Sequence, residues 1–85
     1  MQTSELVLKQ VMAEVFGVDA QIIDETTSVD TLKQWDSLKH LNLVLALEME
    51  FDVRLTDEQS VQILSYPLIK IVLEEHGVHF TNADD

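Results

Sequence analysis

The chain has 85 residues, 46% of them hydrophobic, with two glycines, one proline and no cysteine. This length suits one domain with its own core, and the lack of cysteine excludes disulfides, thiolate metal sites and a cysteine nucleophile. Sixteen acidic residues against five Lys and Arg give a net charge of −11. This charge disfavours binding to nucleic-acid phosphates and anionic membranes and favours binding to basic protein partners. A requirement for solubility alone would also explain it.

The sequence pattern predicts an all-α domain, a four-helix bundle with three longer helices, one short helix and a long loop between the first two. The first helix is predicted from Ser4 to Phe16, where apolar residues recur at spacings of three and four. Thr3 or Ser4 is suited to cap its start, and Gly17 to end it.

The segment from Val18 to Gln34 has no helical period and is predicted to be a loop. It contains acidic residues and isolated aliphatic residues that we expect to pin it across the core: Asp24, Glu25 and Asp30, and Ile22, Ile23, Val29 and Leu32. The acidic spacing does not match a calcium-binding loop and the required glycine is missing, so no metal site is predicted. Loops of this length are usually functional or contain an unrecognised helix, and both alternatives stay open.

The second helix, predicted from Ser37 to Glu50, has the strongest pattern in the chain. It is apolar over more than half of its circumference, as expected for a central helix. Its predicted buried side consists of Leu38, Leu41, Val44, Leu45 and Leu47, and its predicted wet side of Lys39, Asn42, Glu48 and Glu50.

Two further helices are predicted from their caps. Thr56 and Gln59 match a capping box that opens a short helix ending near residue 63 or 64. Ser65 is a cap with Pro67 in the following turn, and this last helix should end near Gly77. Residues 78–85 are predicted to fray, with Phe80 as the side chain suited to pack back. The domain is thus expected over residues 1–80, with a flexible acidic tail over residues 81–85.

The most distinctive polar feature is the start of the second helix, where Asp36 and Ser37 are both good N-cap residues. A serine there has its hydroxyl beside unpaired backbone N–H groups, which favour an attached negative charge. A hydrolase using Ser37 and His40 is a weaker alternative, since no nucleophile elbow or orienting acid is recognisable. Trp35 is expected to be a plug or staple that holds the loop against the domain. His76 and His79 have a spacing that could hold a metal ion, but they lack the further ligands that a metal site needs.

The chain resembles the acyl carrier protein family over nearly its whole length. The resemblance is carried by Asp36-Ser37-Leu38 and by the helix residues Leu43-Val44-Leu45-Ala46-Leu47-Glu48-Met49-Glu50-Phe51. It implies a carrier rather than an enzyme, with no catalytic residues of its own. It also implies that a separate phosphopantetheinyl transferase attaches 4′-phosphopantetheine from coenzyme A to Ser37, with Asp36 assisting by helping to hold the transferase's magnesium.

The same resemblance implies surfaces for partners and cargo. Partner enzymes, of acyl-activating, ketosynthase or acyltransferase type with basic docking surfaces, should contact Leu38, Lys39, Asn42 and Glu48. An acyl chain should be sheltered by Leu47, Phe51, Ile63 and Leu68. The expected protein is a cytoplasmic monomer of a fatty-acid-like, polyketide-like or other specialised acyl pathway, without nucleic-acid partners or membrane insertion.

The motif departs from the family pattern on both sides of the serine. Gln34-Trp35 replaces the common Gly-x before Asp-Ser, and Lys39, His40 and Asn42 make the following turn less acidic than is usual. These departures suggest a specialised carrier rather than a housekeeping one. Two alternatives stay open: an aminoacyl or peptidyl carrier, and an unmodified acidic interaction module in which Ser37 is only a cap.

Overall fold

The computed structural model describes residues 2–81 and contains four α-helices, a short 3₁₀ turn and a pair of short strands. In chain order these are β1 (Gln2–Ser4), α1 (Glu5–Phe16), the 3₁₀ turn (Ala20–Ile22), α2 (Ser37–Phe51), α3 (Asp57–Gln62), α4 (Tyr66–Glu75) and β2 (His79–Thr81). The all-α prediction is therefore confirmed, with the strand pair as a minor addition. None of the helices within these residues has the length and apolar character needed to cross a membrane.

The ends of α1 and α3 form as their local sequence dictates. Ser4 accepts the Leu6 N–H, and Gly17 ends α1 in the left-handed conformation that a residue without Cβ adopts at little cost. Thr56 and Gln59 exchange side-chain to backbone hydrogen bonds in a complete capping box. These local signals were sufficient to predict both helices.

The buried face of α2 differs from the predicted one. Leu43, Leu47 and Phe51 are the residues that enter the core. The predicted residues Leu38, Leu41 and Leu45 are all more than half exposed, and so is Met49. The prediction is confirmed for Leu47 and wrong for the three exposed leucines, because a helix that is apolar over most of its circumference has no single period that selects the buried stripe.

The segment between α1 and α2 is compact and contains the single 3₁₀ turn, capped by Asp19. Ile23 and Leu32 pack in the core as predicted, whereas Ile22 is more than half exposed. The backbone pairs with the approach to α4, since the Val29 N–H donates to the Leu64 carbonyl and the Tyr66 N–H to the Thr27 carbonyl. These bonds fix the loop that leads into α2.

The prediction of a frayed end is wrong for residues 78–81. Val78 is buried, and β2 pairs in parallel with β1 so that Phe80 lies opposite Thr3. Phe80 does pack back, with its ring 6.0 Å from that of Phe51 and nearly perpendicular to it. The rest of the predicted acidic tail, residues 82–85, lies outside the described residues. A three-residue strand with a partner over seventy positions away has no local signature.

A charged cluster ties the start of α1 to α4. The Tyr66 hydroxyl donates to Glu5 Oε1 over 2.7 Å, and the Lys70 ammonium lies 3.0 Å from the same oxygen. Lys70 also lies over the Tyr66 ring, 5.5 Å from its centroid. We call Glu5, Tyr66 and Lys70 the anchor cluster.

The anchor cluster shifts the pKa of each of its members. The hydrogen bond from Tyr66, followed by that from Lys70, lowers the pKa of Glu5. Burial, reinforced by the hydrogen bond to Glu5, raises the pKa of Tyr66. Burial opposes the charged form of Lys70, but its bond to Glu5 and the nearby carboxylates outweigh burial and raise its pKa.

Candidate functional site

Asp36, and not Ser37, is the N-cap of α2. Its backbone is extended, with φ −103° and ψ −176°, and its Oδ1 accepts the Lys39 N–H over 2.8 Å. Of the two residues that the sequence left as possible caps, the structure therefore selects the aspartate. Ser37 is the first residue of the helix itself.

The Ser37 side chain is exposed at the start of α2. Within residues 2–81 its hydroxyl makes no hydrogen bond, and the backbone N–H groups of Ser37 and Leu38 have no acceptor. An exposed hydroxyl beside two unused donors at the positive end of a fifteen-residue helix suits a covalently attached phosphate. The site therefore fits a phosphodiester on this oxygen.

His40 links α2 to α3 through a hydrogen-bonded chain. Trp35 Nε1 donates to His40 Nδ1 over 3.0 Å, and His40 Nε2 lies 2.6 Å from the Ser60 carbonyl oxygen. Because an indole N–H can only donate, Nδ1 must accept, and the imidazole hydrogen is therefore on Nε2 and is donated to Ser60. We call Trp35, His40 and the Ser60 carbonyl the histidine bridge.

The histidine bridge contradicts the hydrolase alternative. Both ring nitrogens of His40 are engaged, one by Trp35 and one by Ser60, so neither is available to take a proton from Ser37. Trp35 behaves as the predicted plug: its ring is buried and lies 4.9 Å from that of Phe16. The sequence did not predict the bond from Trp35 to His40, because the local pattern that pairs a residue before a helix with one in its first turn concerns apolar contacts and not hydrogen bonds.

A cavity of about 490 Å³ adjoins Ser37, within the range of about 300–1,000 Å³ typical of small-ligand sites. Its lining combines the start of α2 with aliphatic side chains from the loop and from the end of α3: Val29, Trp35, Asp36, Ser37, His40, Val61 and Leu64. A group tethered to the serine would thus meet an apolar surface beside its point of attachment.

The four residues predicted to shelter an acyl chain do not line this cavity. Leu47, Phe51 and Ile63 are packed core residues at 0–2% exposure, whereas Leu68 is 40% exposed on α4. The prediction followed the family pattern of apolar positions, but packing distributes these side chains between core and surface. Val61 and Leu64 do line the cavity, but the sequence predicted this region only as the end of a short helix.

The predicted partner residues divide in a similar way. Leu38 and Asn42 are exposed on α2, and Lys39 is half-buried. Glu48 is half-buried as well, and its carboxylate accepts the Leu55 N–H over 2.9 Å, so it holds the turn after α2. Leu38 and Asn42 are therefore the two members of the set that the structure leaves most accessible.

Comparisons with known proteins agree with this geometry. The model of the family described as "Phosphopantetheine attachment site" matches residues 7–65, a range that includes Ser37 and every residue that lines the cavity. Among solved structures, the chain is similar to a holo acyl carrier protein from Geobacter metallireducens determined in solution by NMR. That similarity has a TM-score of 0.72 at 22% sequence identity and covers 81% of this chain and 79% of the other, so it supports the fold.

Proposed function

The chain belongs to the phosphopantetheine attachment site family, and from this we propose that it carries acyl groups as thioesters on a 4′-phosphopantetheine arm bonded to Ser37. Family membership makes the covalent cofactor 4′-phosphopantetheine and the chain a carrier rather than an enzyme. The observation that carries the choice of residue is the exposed Ser37 hydroxyl at the start of α2, which makes no hydrogen bond to any of residues 2–81.

Attachment would form a bond between Ser37 Oγ and the phosphorus that bears the pantetheine group of coenzyme A. The P–O bond of the pyrophosphate breaks, adenosine bisphosphate leaves, and the hydroxyl proton passes to a base on the transferase. The resulting phosphodiester carries one negative charge. The unpaired N–H groups of Ser37 and Leu38 and the helix dipole favour that charge.

Asp36 is proposed to assist the transferase by helping to hold its magnesium ion. One carboxylate oxygen caps α2 through the Lys39 N–H, while the other makes no hydrogen bond within residues 2–81. The carboxylate therefore keeps a lone oxygen beside the serine for an oxygen-preferring cation. Capping and assistance use different atoms and are compatible.

Partner enzymes are proposed to contact α2 through a mixed surface. Its exposed side has a row of apolar residues, Leu38, Leu41, Leu45 and Met49, on a chain with a net charge of −11. A partner with an apolar patch inside a basic rim would match both properties. We propose a cytoplasmic monomer that serves a specialised fatty-acid-like or polyketide-like pathway, because Lys39 and Asn42 make this surface less acidic than the rest of the chain.

Incubation with coenzyme A, magnesium and a broad-specificity phosphopantetheinyl transferase tests the attachment site. Intact-mass spectrometry should detect the addition of one phosphopantetheine to the wild-type chain and none to Ser37→Ala. Ser60→Ala is the matched control, because Ser60 lies on the neighbouring α3 and its hydroxyl donates to the Asp57 carbonyl. It should be modified like the wild type.

Modification of Ser37→Ala would contradict the choice of residue. A chain that gains no mass with several transferases would instead favour the unmodified interaction module. The pathway proposal has a separate test, in which a housekeeping ketosynthase and malonyl transferase are offered the holo form beside their usual carrier. Equal acceptance of the two carriers would contradict a specialised role.

A further inference from the structure

We infer that Trp35 and His40 determine the length of acyl group that the carrier shelters: the histidine bridge keeps the cargo in the open cavity beside Ser37 and closes the way to the core. This inference rests on the proposed function, because it concerns a group tethered to Ser37. It predicts a carrier that shelters short acyl groups and leaves the distal part of long ones in solvent.

Trp35 lies between the cavity and the core. The same ring lines the cavity and contacts Phe16, which is buried at the end of α1. Trp35 is itself only 7% exposed, and its one polar atom is bonded to His40. A chain that extends beyond the cavity therefore has to displace a packed ring and break its hydrogen bond.

The core on the far side of Trp35 is closely packed. Leu43, Leu47 and Ile63 have no measurable exposure, and they pack with Phe51 in one continuous cluster. Cores at this density do not admit additional methylene groups unless an element moves. Two elements line the cavity: α2 contributes Ser37 and His40, and α3 with the residues that follow it contributes Val61 and Leu64. For a long acyl chain to enter the core, these two elements would have to separate.

Hydrogen bonds from two histidines help to position α3. None of its six residues is buried. Two histidines bond it from opposite neighbours: His40 on α2 bonds the Ser60 carbonyl, and His76 after α4 bonds Gln59 Oε1 over 2.8 Å. Core packing holds the residues on either side of α3 through Leu55 and Ile63, whereas the bond from His40 joins the middle of α3 to α2.

The cavity also fits the inferred cargo chemically. Val29, Val61 and Leu64 provide an aliphatic surface, while Asp36, Ser37, Val61 and Leu64 are all exposed or near the surface, so the cavity is an open cleft. An open cleft covers the first methylenes of an acyl group and offers no further apolar surface to the following ones. Sheltering should therefore level off with chain length.

The experiment loads the chain from acetyl-, hexanoyl- and dodecanoyl-coenzyme A with a permissive transferase, and intact mass confirms each product. The rate at which hydroxylamine cleaves each thioester then reports how well the acyl group is sheltered. Wild type, His40→Ala and Trp35→Phe are compared. The matched control is His76→Ala, which removes the other histidine bond to α3 without altering the cavity lining.

In the wild type, we expect protection to rise from acetyl to hexanoyl and not to rise further for dodecanoyl. In His40→Ala, dodecanoyl should be cleaved roughly tenfold more slowly than in the wild type, the factor expected when about two further methylenes become buried. Trp35→Phe, which keeps a ring but lacks the N–H donor, should change in the same direction. His76→Ala should level off like the wild type, which separates a change in the cavity wall from a general loosening of α3.

Each other outcome counts against one proposal in particular. Failure of all acyl groups to add mass would contradict the proposed function, and with it this inference. Efficient loading with stepwise protection up to dodecanoyl in the wild type would contradict the inference alone. So would an unchanged chain-length profile in both His40→Ala and Trp35→Phe, with their folding verified by circular dichroism.

Discussion

The anchor cluster and the histidine bridge both join distant elements through an aromatic hydrogen-bond donor, but they differ in charge. In the anchor cluster, Tyr66 donates to the Glu5 carboxylate, which also pairs with Lys70. In the histidine bridge, every partner is neutral: Trp35 donates to His40, and His40 to a backbone carbonyl. Charge-assisted hydrogen bonds are roughly twice as strong as neutral ones. We therefore expect the hydrogen bonds between α1 and α4 to contribute more to the stability of the fold than those between α2 and α3.

This difference agrees with the proposed functions of the two regions. The anchor cluster spans 61 positions of sequence and joins the start of α1 to the start of α4. The histidine bridge borders the cavity beside Ser37, where we propose that the carrier accepts and releases its cargo. A neutral bond is strong enough to position α3 and weak enough to be displaced, and that combination suits a cavity wall.

The largest effect should come from deleting the anchor phenol. Tyr66→Phe preserves the ring but leaves the partly buried Glu5 carboxylate without its shortest bond, so we expect a loss of about 2 kcal/mol in the free energy of unfolding. His40→Leu, which removes both neutral bonds of the bridge at similar volume, should lose about 1 kcal/mol. Urea unfolding measures both. A larger loss for His40→Leu would reverse the comparison.

A smaller effect is expected from acid, because a protonated Glu5 still accepts the phenol's hydrogen bond. The folded protein lowers the pKa of Glu5 from its ordinary value of 4.5, so this carboxylate stabilises the fold above pH 4.5. Its contribution is lost as the pH falls through the folded pKa. Glu5→Gln should therefore be less stable than the wild type at neutral pH, and the two should converge below pH 4.5.

The convergence can be measured from unfolding midpoints of the two proteins at a series of pH values. Glu25→Gln is the control, since Glu25 contacts the same Lys70 at 3.4 Å but its side chain is 63% exposed. Solvent screening should leave it close to the wild type throughout. A constant difference between Glu5→Gln and wild type down to strongly acidic pH would contradict the role given to the Glu5 charge.

Features that depend on near neighbours in the sequence were predicted, whereas the long-range bonds of the two clusters were not. Helix caps, the capping box and the serine motif depend on neighbours within four positions, so Thr56, Gly17 and Asp36-Ser37 were informative without the structure. The bond from Tyr66 to Glu5 and the pairing of β1 with β2 depend on tertiary packing. No local pattern encodes them, and neither was predicted.

The candidate site divides along the same line. The serine motif is contiguous and could be recognised in the sequence, and Trp35 is buried, as expected of a plug or staple. Its cavity was not found, because the lining residues Val29, Val61 and Leu64 come from segments separated by more than thirty positions. The family resemblance instead predicted an acyl-chain site at residues that include Leu47 and Phe51, which are buried in the core.

The smallest effect should be that of Ser37→Ala on stability. The serine lies on the bridge side of the molecule, but Asp36 caps the helix and the Ser37 hydroxyl makes no hydrogen bond within the described residues. Its removal should therefore change the free energy of unfolding by less than about 0.5 kcal/mol, as for other surface substitutions. Asp36→Ala, which deletes the cap, should lose about 1 kcal/mol and provides the positive control. If urea unfolding showed the same loss of stability for Ser37→Ala as for Asp36→Ala, the serine hydroxyl would stabilise the fold. The fold would then no longer support the proposal that this hydroxyl is available for a covalent arm.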